Sequence, residues 1–411
     1  MSRLLLLGAF ALFFAACSDD TAVTTATAIT PTTAPIGATT DPSTNPSSTS
    51  SSSSTSSSTS SSTSSTTTTT IDLSTTVTTI PEGFASPING LPAVRDALLD
   101  RRAIAIKVHD EPLARPQSGV MDADSIIEMR MGGGKTRWIA IFHDNESDYV
   151  GSMRSLRPTD STLMAAVGAP LAVSGGQGWI QRLTGERGVD LMVSDSSRRE
   201  ADLDELLEER GGEPEITGDW CRMCAFRIPG RDAPHNLYTR TDLIRQGADA
   251  MGVSNDPPQS LYPIVQWTIP ETKADQVVLD WSSYLTIKWE WDGDRYVRSI
   301  LGQNGYYAHE VADREGNTQQ IAVEVLVILT GNLHDQFPPA GSDGSGVPTT
   351  DTLGSGQAWI FSRGAVWEGR WERAEYVEQF RLIGADGADA GVPAGFSWVS
   401  VFPDDRTVTW E

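Results

Sequence analysis

The spacing of apolar positions in this chain changes three times. Leu4 to Phe14 make one short apolar run that stops at Ala15-Ala16-Cys17. Residues 21–80 then show no apolar periodicity, and 40 of them are Ser or Thr. After Pro81 two regular patterns take over. Residues 103–108, 125–131 and 136–142 read as strands, and 170–174 and 191–194 as shorter ones. Helical spacing falls between several of them. Thr159-Asp160-Ser161 is placed to cap a helix through Val167, residues 201–210 form a helix stopped by Gly211-Gly212, and residues 241–251 give another. Beyond a Pro-rich joint (Pro257-Pro258, Pro263, Pro270) the texture becomes alternating. Leu285, Ile287, Trp289 and Trp291 share one side of a strand, Tyr284, Thr286, Lys288 and Glu290 the other, and Asp292-Gly293 turns into residues 296–301. Further strands are expected at 321–330, 357–361 and 397–402, with a mobile loop at 341–346. The predicted class is α+β: an α/β domain with a mixed sheet over 81–255, then a mainly β domain over 256–411.

Composition separates the folded part from the rest. Between Asp20 and Glu82 the only charged residues are Asp41 and Asp72, so residues 17–80 bury too little apolar surface to offset the entropy of ordering them. They read as a disordered tether with an r.m.s. span of about 45 Å. The chain as a whole has 39% apolar residues and 12 Trp, enough for a sizeable core. Its 54 Asp and Glu against 31 Lys and Arg make nucleic acid an unsuitable partner. The leader has a short positive start, an apolar stretch too short to span a bilayer comfortably, and a small-small-Cys ending. It resembles a bacterial lipoprotein signal. That resemblance implies removal of residues 1–16, a lipid on Cys17 and a location outside the cytoplasm on the membrane surface, although an ordinary signal with an incidental Cys17 would read similarly.

Several blocks along the folded part also carry a likeness. Ala114-Arg-Pro-Gln-Ser-Gly119, Ala123-Asp-Ser-Ile-Ile-Glu128, Thr136-Arg137, Val150-Gly-Ser-Met-Arg-Ser-Leu-Arg-Pro158 and Ala233-Pro-His-Asn-Leu-Tyr-Thr239 are similar to signature blocks of the YerB-like lipoproteins. Residues 289–298, Gly354-Ser-Gly-Gln-Ala358 and Gly369-Arg-Trp371 are similar to that family's second module. The resemblance implies a two-domain lipoprotein and supplies no reaction.

Candidate chemistry is sparse. Gly132-Gly-Gly-Lys-Thr136 lacks the first glycine of a phosphate loop and reads as a hairpin between strands. Cys221 and Cys224 read as a structural disulfide, with a thioredoxin-type redox pair as the alternative. His109, His143, His235, His309 and His334 show no metal-ligand spacing, so neither metal nor cofactor is expected. The notable constellation is cationic: Arg115, Arg130, Arg137, Arg154 and Arg157 fall within residues 115–157 of an acidic protein. Guanidinium forks match carboxylates and phosphates in pairs. Glycines at 175 and 176 and a polar loop with Asn236 would complete such a pocket; alternatively, the arginines pair internally and the glycines merely turn the chain. The expected partner is an anionic cell-wall component or envelope protein. A second reading is a wall-modifying hydrolase or transferase with Glu128 and His235 as acid and base. Tyr238, Trp289, Trp291, Trp367 and Trp371 are candidates for sugar stacking, although alternation favours core positions for most of them.

Overall fold

The structure, a computed structural model, describes residues 85–93 and 100–411. The leader, Cys17 and the Ser/Thr-rich tract lie outside the described residues. β1 (Ile104–Asp110), β2 (Ser125–Arg130) and β3 (Thr136–Phe142) are joined as antiparallel neighbours, with β3 in the middle. They are almost wholly buried, which is why they read as continuous apolar runs rather than alternating ones. The glycines at 132–134 do turn β2 into β3. Gly134 has φ +76°, and a Cβ there would stand 2.9 Å from Ser282 Oγ.

β4 (Val150–Gly151) leads to α1 (Pro158–Val167), β5 (Leu171–Val173), α2 (Gly178–Glu186), β6 (Leu191–Val193), α3 (Glu200–Glu209) and α4 (Thr241–Met251). β1, β5 and β6 run parallel. α1 starts one step earlier than expected: Pro158 takes its first position, and Asp160 Oδ2 accepts the N–H of Arg157 at 2.8 Å, so Thr159 to Ser161 lie inside the first turn. Later strands extend the same sheet on the other side of β2. Ser397–Pro403 lies parallel to β2 and to Val325–Gly331, and Gly354–Ser362, Ala365–Arg373, Arg381–Gly384 and Asp389–Ala390 follow outward. The resulting sheet has 13 strands and crosses position 255 without a break. A second sheet holds Gln276–Ser282, Leu285–Trp291, Tyr296–Gly302, Gly305–Ala308 and Val408–Trp410. The α+β class stands, with a mixed sheet and the four α-helices of the described residues in the N-terminal region, and a mainly β C-terminal region.

Strand alternation divides the core in two. Ile104, Ile106, Val108, Ile126, Trp138 and Phe142 join Trp281, Trp289 and Ile300 of the second sheet, whereas Ala105, Ile127, Met129 and Ile139 pack with Leu163, Met164 and Ile180 of α1 and α2. Trp289, Trp371 and Tyr238, candidates for sugar stacking, are buried. Residues 321–330 break at Glu324, whose carboxylate accepts the N–H of Phe396 at 2.8 Å. Loop 341–346 is held against α2, because Gln177 Oε1 accepts the Ser345 N–H at 2.8 Å and Arg182 donates to Ser342 Oγ at 3.1 Å.

A charged knot sits inside the first core. Arg298 forks onto Glu128 with two 2.8 Å bonds, both side chains being fully buried. Glu128 also accepts from Thr136 Oγ1 (2.7 Å), Trp398 Nε1 (2.9 Å) and Trp138 Nε1 (3.3 Å). The guanidinium lies 4.7 Å from the Trp398 ring centroid and 5.2 Å from that of Trp289. Arg298 Nε donates to His309 Nδ1 at 3.0 Å, so His309 is neutral with its proton on Nε2; burial, reinforced by Arg298 and Arg115, holds its pKa well below the ordinary value. Burial alone would raise the Asp110 carboxyl, but Arg115 and Arg298 outweigh it and hold the pKa at about 2.

Two outcomes follow from this knot. Arg298→Met strands a buried carboxylate and is expected to cost about 3–5 kcal/mol in urea denaturation, whereas Glu128→Met with Arg298→Met should cost clearly less. The unfolded chain protonates residue 309 below about pH 6.5 and the folded chain does not, so this group's contribution to stability is lost as pH falls. Between pH 7 and 5 the wild type should lose about 2 kcal/mol more than His309→Asn; equal losses would show that the residue titrates alike in both states.

Candidate functional site

The site arises where two parallel strands separate. β1 and β5 pair at Ala105–Leu171 and Ile106–Ala172. Beyond that the chain following β4 is wedged between them. His109 N–H donates to Ser152 O and Arg154 N–H to Lys107 O, both at 2.9 Å, on the β1 side. Ser174 N–H donates to Arg154 O at 3.1 Å and Leu156 N–H to Gly175 O at 2.9 Å on the β5 side. Gly176 permits this approach, since a Cβ there would stand 2.9 Å from Leu156 Cβ. Gly175, with φ +136°, makes the preceding turn. Gly176 therefore serves the close approach of the two segments, and Gly175 the left-handed turn before it. Arg154 is thereby held at the carboxyl ends of parallel strands, the edge where open α/β sheets hold ligands.

Three of the five arginines meet there. Arg137 stands opposite His109 across the β1–β3 pair and donates to Ser155 O at 2.7 Å; Arg157 donates to Leu156 O at 2.7 Å. The Arg154 guanidinium has no hydrogen bond or ion pair among the described residues, and the Nε atoms of Arg137, Arg154 and Arg157 are all buried without a partner. The nearby Asp160 is committed elsewhere: it binds Lys107 Nζ at 2.6 Å and caps the Arg157 N–H. Burial first, and then mutual repulsion for Arg137 and Arg154, moves these three guanidinium groups below their ordinary pKa. Burial likewise brings Lys107 down to about 8 despite Asp160. The trio is a partly buried positive cluster that Asp160, itself bound to Lys107, opposes at Arg137 and Arg157 without pairing with any of the three guanidinium groups.

Arg115 and Arg130 do not join it. The register pairs Arg137 with Met129, which turns Glu128 and Arg130 to the opposite face. Arg130 donates to the carbonyls of Trp281 and Met131, and Arg115 pairs with the buried Asp110 at 2.7 Å. Glu128 is locked to Arg298 in the core and His235 is not among its partners, so the expected acid/base pair is not assembled.

His235 belongs instead to the arginine cleft. Its ring stacks on His109 with centroids 5.4 Å apart and planes inclined by 6°, and His109 Nε2 lies 2.7 Å from Glu111 Oε2. Lys135 pairs with Glu111. Burial, with Arg154 and Arg137, depresses the His109 pKa to about 2, and burial with Arg154 and Lys135 lowers that of His235. Asn236 braces the loop, accepting from Arg227 Nη1 at 2.9 Å. Arg227 also borders an open cleft of about 750 Å³ lined by Asp195, Ser196, Trp220, Arg222 and Ala233. Cys221 and Cys224 are joined in a buried disulfide beside it.

Sequence reading missed Lys107, His109, Glu111 and Arg227. The i, i+2 spacing of His109 and Glu111 at a strand end is the one local signal for any of them.

The described residues contain no helix long and apolar enough to cross a membrane. Residues 88–254 match the model described as "Protein of unknown function (DUF3048) N-terminal domain", and residues 277–399 match the corresponding C-terminal domain. The chain belongs to the DUF3048 family. This DUF3048 protein is 25% identical over 329 residues to "Putative lipoprotein YerB" of Bacillus subtilis (strain 168), which spans 78% of this chain and 86% of that one. The crystal structure of YerB from Bacillus subtilis shares the fold, with a TM-score of 0.59 at 22% identity over 79% of this chain and 99% of that one. The likeness to YerB-like lipoproteins is thus borne out, at the level of family and fold.

Guanidinium groups crowded together without paired carboxylates have a measurable signature. Arg154→Met in this DUF3048 protein removes an unmatched, partly buried cation from a repelling trio. It should leave the circular dichroism spectrum unchanged and raise stability by about 1 kcal/mol; a destabilised variant would mean that Arg154 is held by contacts within the fold.

Proposed function

We propose that this protein is a membrane-anchored lipoprotein outside the cytoplasm, lipidated at Cys17, that holds an anionic group of a cell-wall polymer in the cleft of Arg137, Arg154 and Arg157. The name of the Bacillus subtilis relative supports the anchored location. The arginine trio supports the ligand class. In a protein with a net charge of −23, three guanidinium groups converge with no carboxylate paired to them among the described residues, Asp160 being held by Lys107, at a cost in desolvation that a bound carboxylate or phosphate would offset. Arg227 and the adjoining open cleft extend the site enough for a polymer segment rather than an isolated ion.

Calorimetric titration with citrate and inorganic phosphate, and retention on purified wall material, test this reading. The wild type is expected to bind in both assays, with affinity falling as salt rises. Arg154→Ala with Arg157→Ala should weaken binding by at least about 100-fold while the protein remains folded. Equal retention of wild type and double variant would overturn it.

A further inference from the structure

We propose that His109, Glu111 and His235 form a binding site for one divalent transition-metal ion of the zinc type. This inference does not rest on the anion reading. His109 is the last but one residue of the buried strand β1, and Glu111 lies two residues on along extended backbone, so both side chains leave on one side. His235 arrives from a loop fixed by its own N–H to Asp232 O (2.9 Å) and by the Asn236–Arg227 bond. The donor atoms of all three residues lie within 4.8 Å of one another. His109 Nε2 and Glu111 Oε2 are already 2.7 Å apart, a contact in which an ion takes the place of the shared proton.

The stacked rings place two imidazole edges side by side, and neither ring spends both nitrogens. Nδ1 of His235 is buried without a partner, beside the contact that His109 Nε2 makes with Glu111. Buried imidazole nitrogens ordinarily find a partner, so this orphan points to a missing ligand. Glu111 offers Oε2 to the site while Lys135 holds Oε1, an outer contact of the kind that orients a ligating carboxylate. Two imidazoles and one carboxylate are the set that zinc accepts where a fourth position stays open to water or substrate.

The surrounding charges act in two directions. Arg154, Arg137, Lys135 and Arg231 repel a bare cation and moderate its affinity. An anion drawn in by the arginines would carry the opposite charge toward the ion, so the two sites favour one another.

Zn²⁺ alone, titrated calorimetrically into chelator-treated full-length protein, with Co²⁺ as a spectroscopic probe, tests the site. The expected result is one ion per chain and the visible absorption of low-coordinate Co²⁺. His235→Ala and Glu111→Gln, both at partly exposed positions, should each lower affinity roughly 100-fold or more while the circular dichroism spectrum is retained. Arg154→Met should tighten binding severalfold by removing a repelling charge. Absence of Zn²⁺ binding to the wild type, or an affinity unchanged in both His235→Ala and Glu111→Gln, would overturn the proposal.

Discussion

The forked contact between Glu128 and Arg298 decides how this chain is put together. One partner comes from β2 and the other from Tyr296–Gly302 in the second sheet, and neither touches solvent. A buried ion pair of this kind contributes little net stability against an apolar replacement, but it tolerates few alternative dockings of the surfaces that carry it. Three indole rings and His309 close around the guanidinium, so the two sheets can approach only where those donors, acceptors and ring faces coincide. With that face of β2 and β3 committed to the second sheet, the opposite face is left to α1, α2 and the arginine cleft.

Local patterning carried most of the elements. Strands β1 to β3 and helices α3 and α4 follow from runs, alternation and stop signals that need no distant partner. Gln276–Ser282 escaped, although its burial does alternate, because Pro263 and Pro270 drew attention to a joint just before it. Sheet order was never legible. The parallel pairing of Ser397–Pro403 with β2 depends on side-chain packing between segments far apart in the chain, which no local period encodes.

The cleft was legible in part for the same reason. Arg137, Arg154 and Arg157 stood out by residue type and spacing. Which of the five arginines converge depends on the register Met129–Arg137, and a shift of one residue would have reversed the outcome for Arg130 and Arg137. His235, expected beside Glu128, stacks instead on His109. His109 reads as an ordinary strand residue, and its place beside His235 depends on packing that no local period encodes.

The position of Ser397–Pro403 also bears on when this chain can fold. β2 is flanked on one side by β3, which follows it almost at once, and on the other by Ser397–Pro403, far later in the chain. Until that strand emerges, β2 offers a bare, apolar row of unpaired amides and carbonyls, an invitation to intermolecular pairing. Synthesis alone cannot finish the sheet before residues 397–403 have been made, and any product cut short of them keeps a sticky flank that quality-control proteases can recognise.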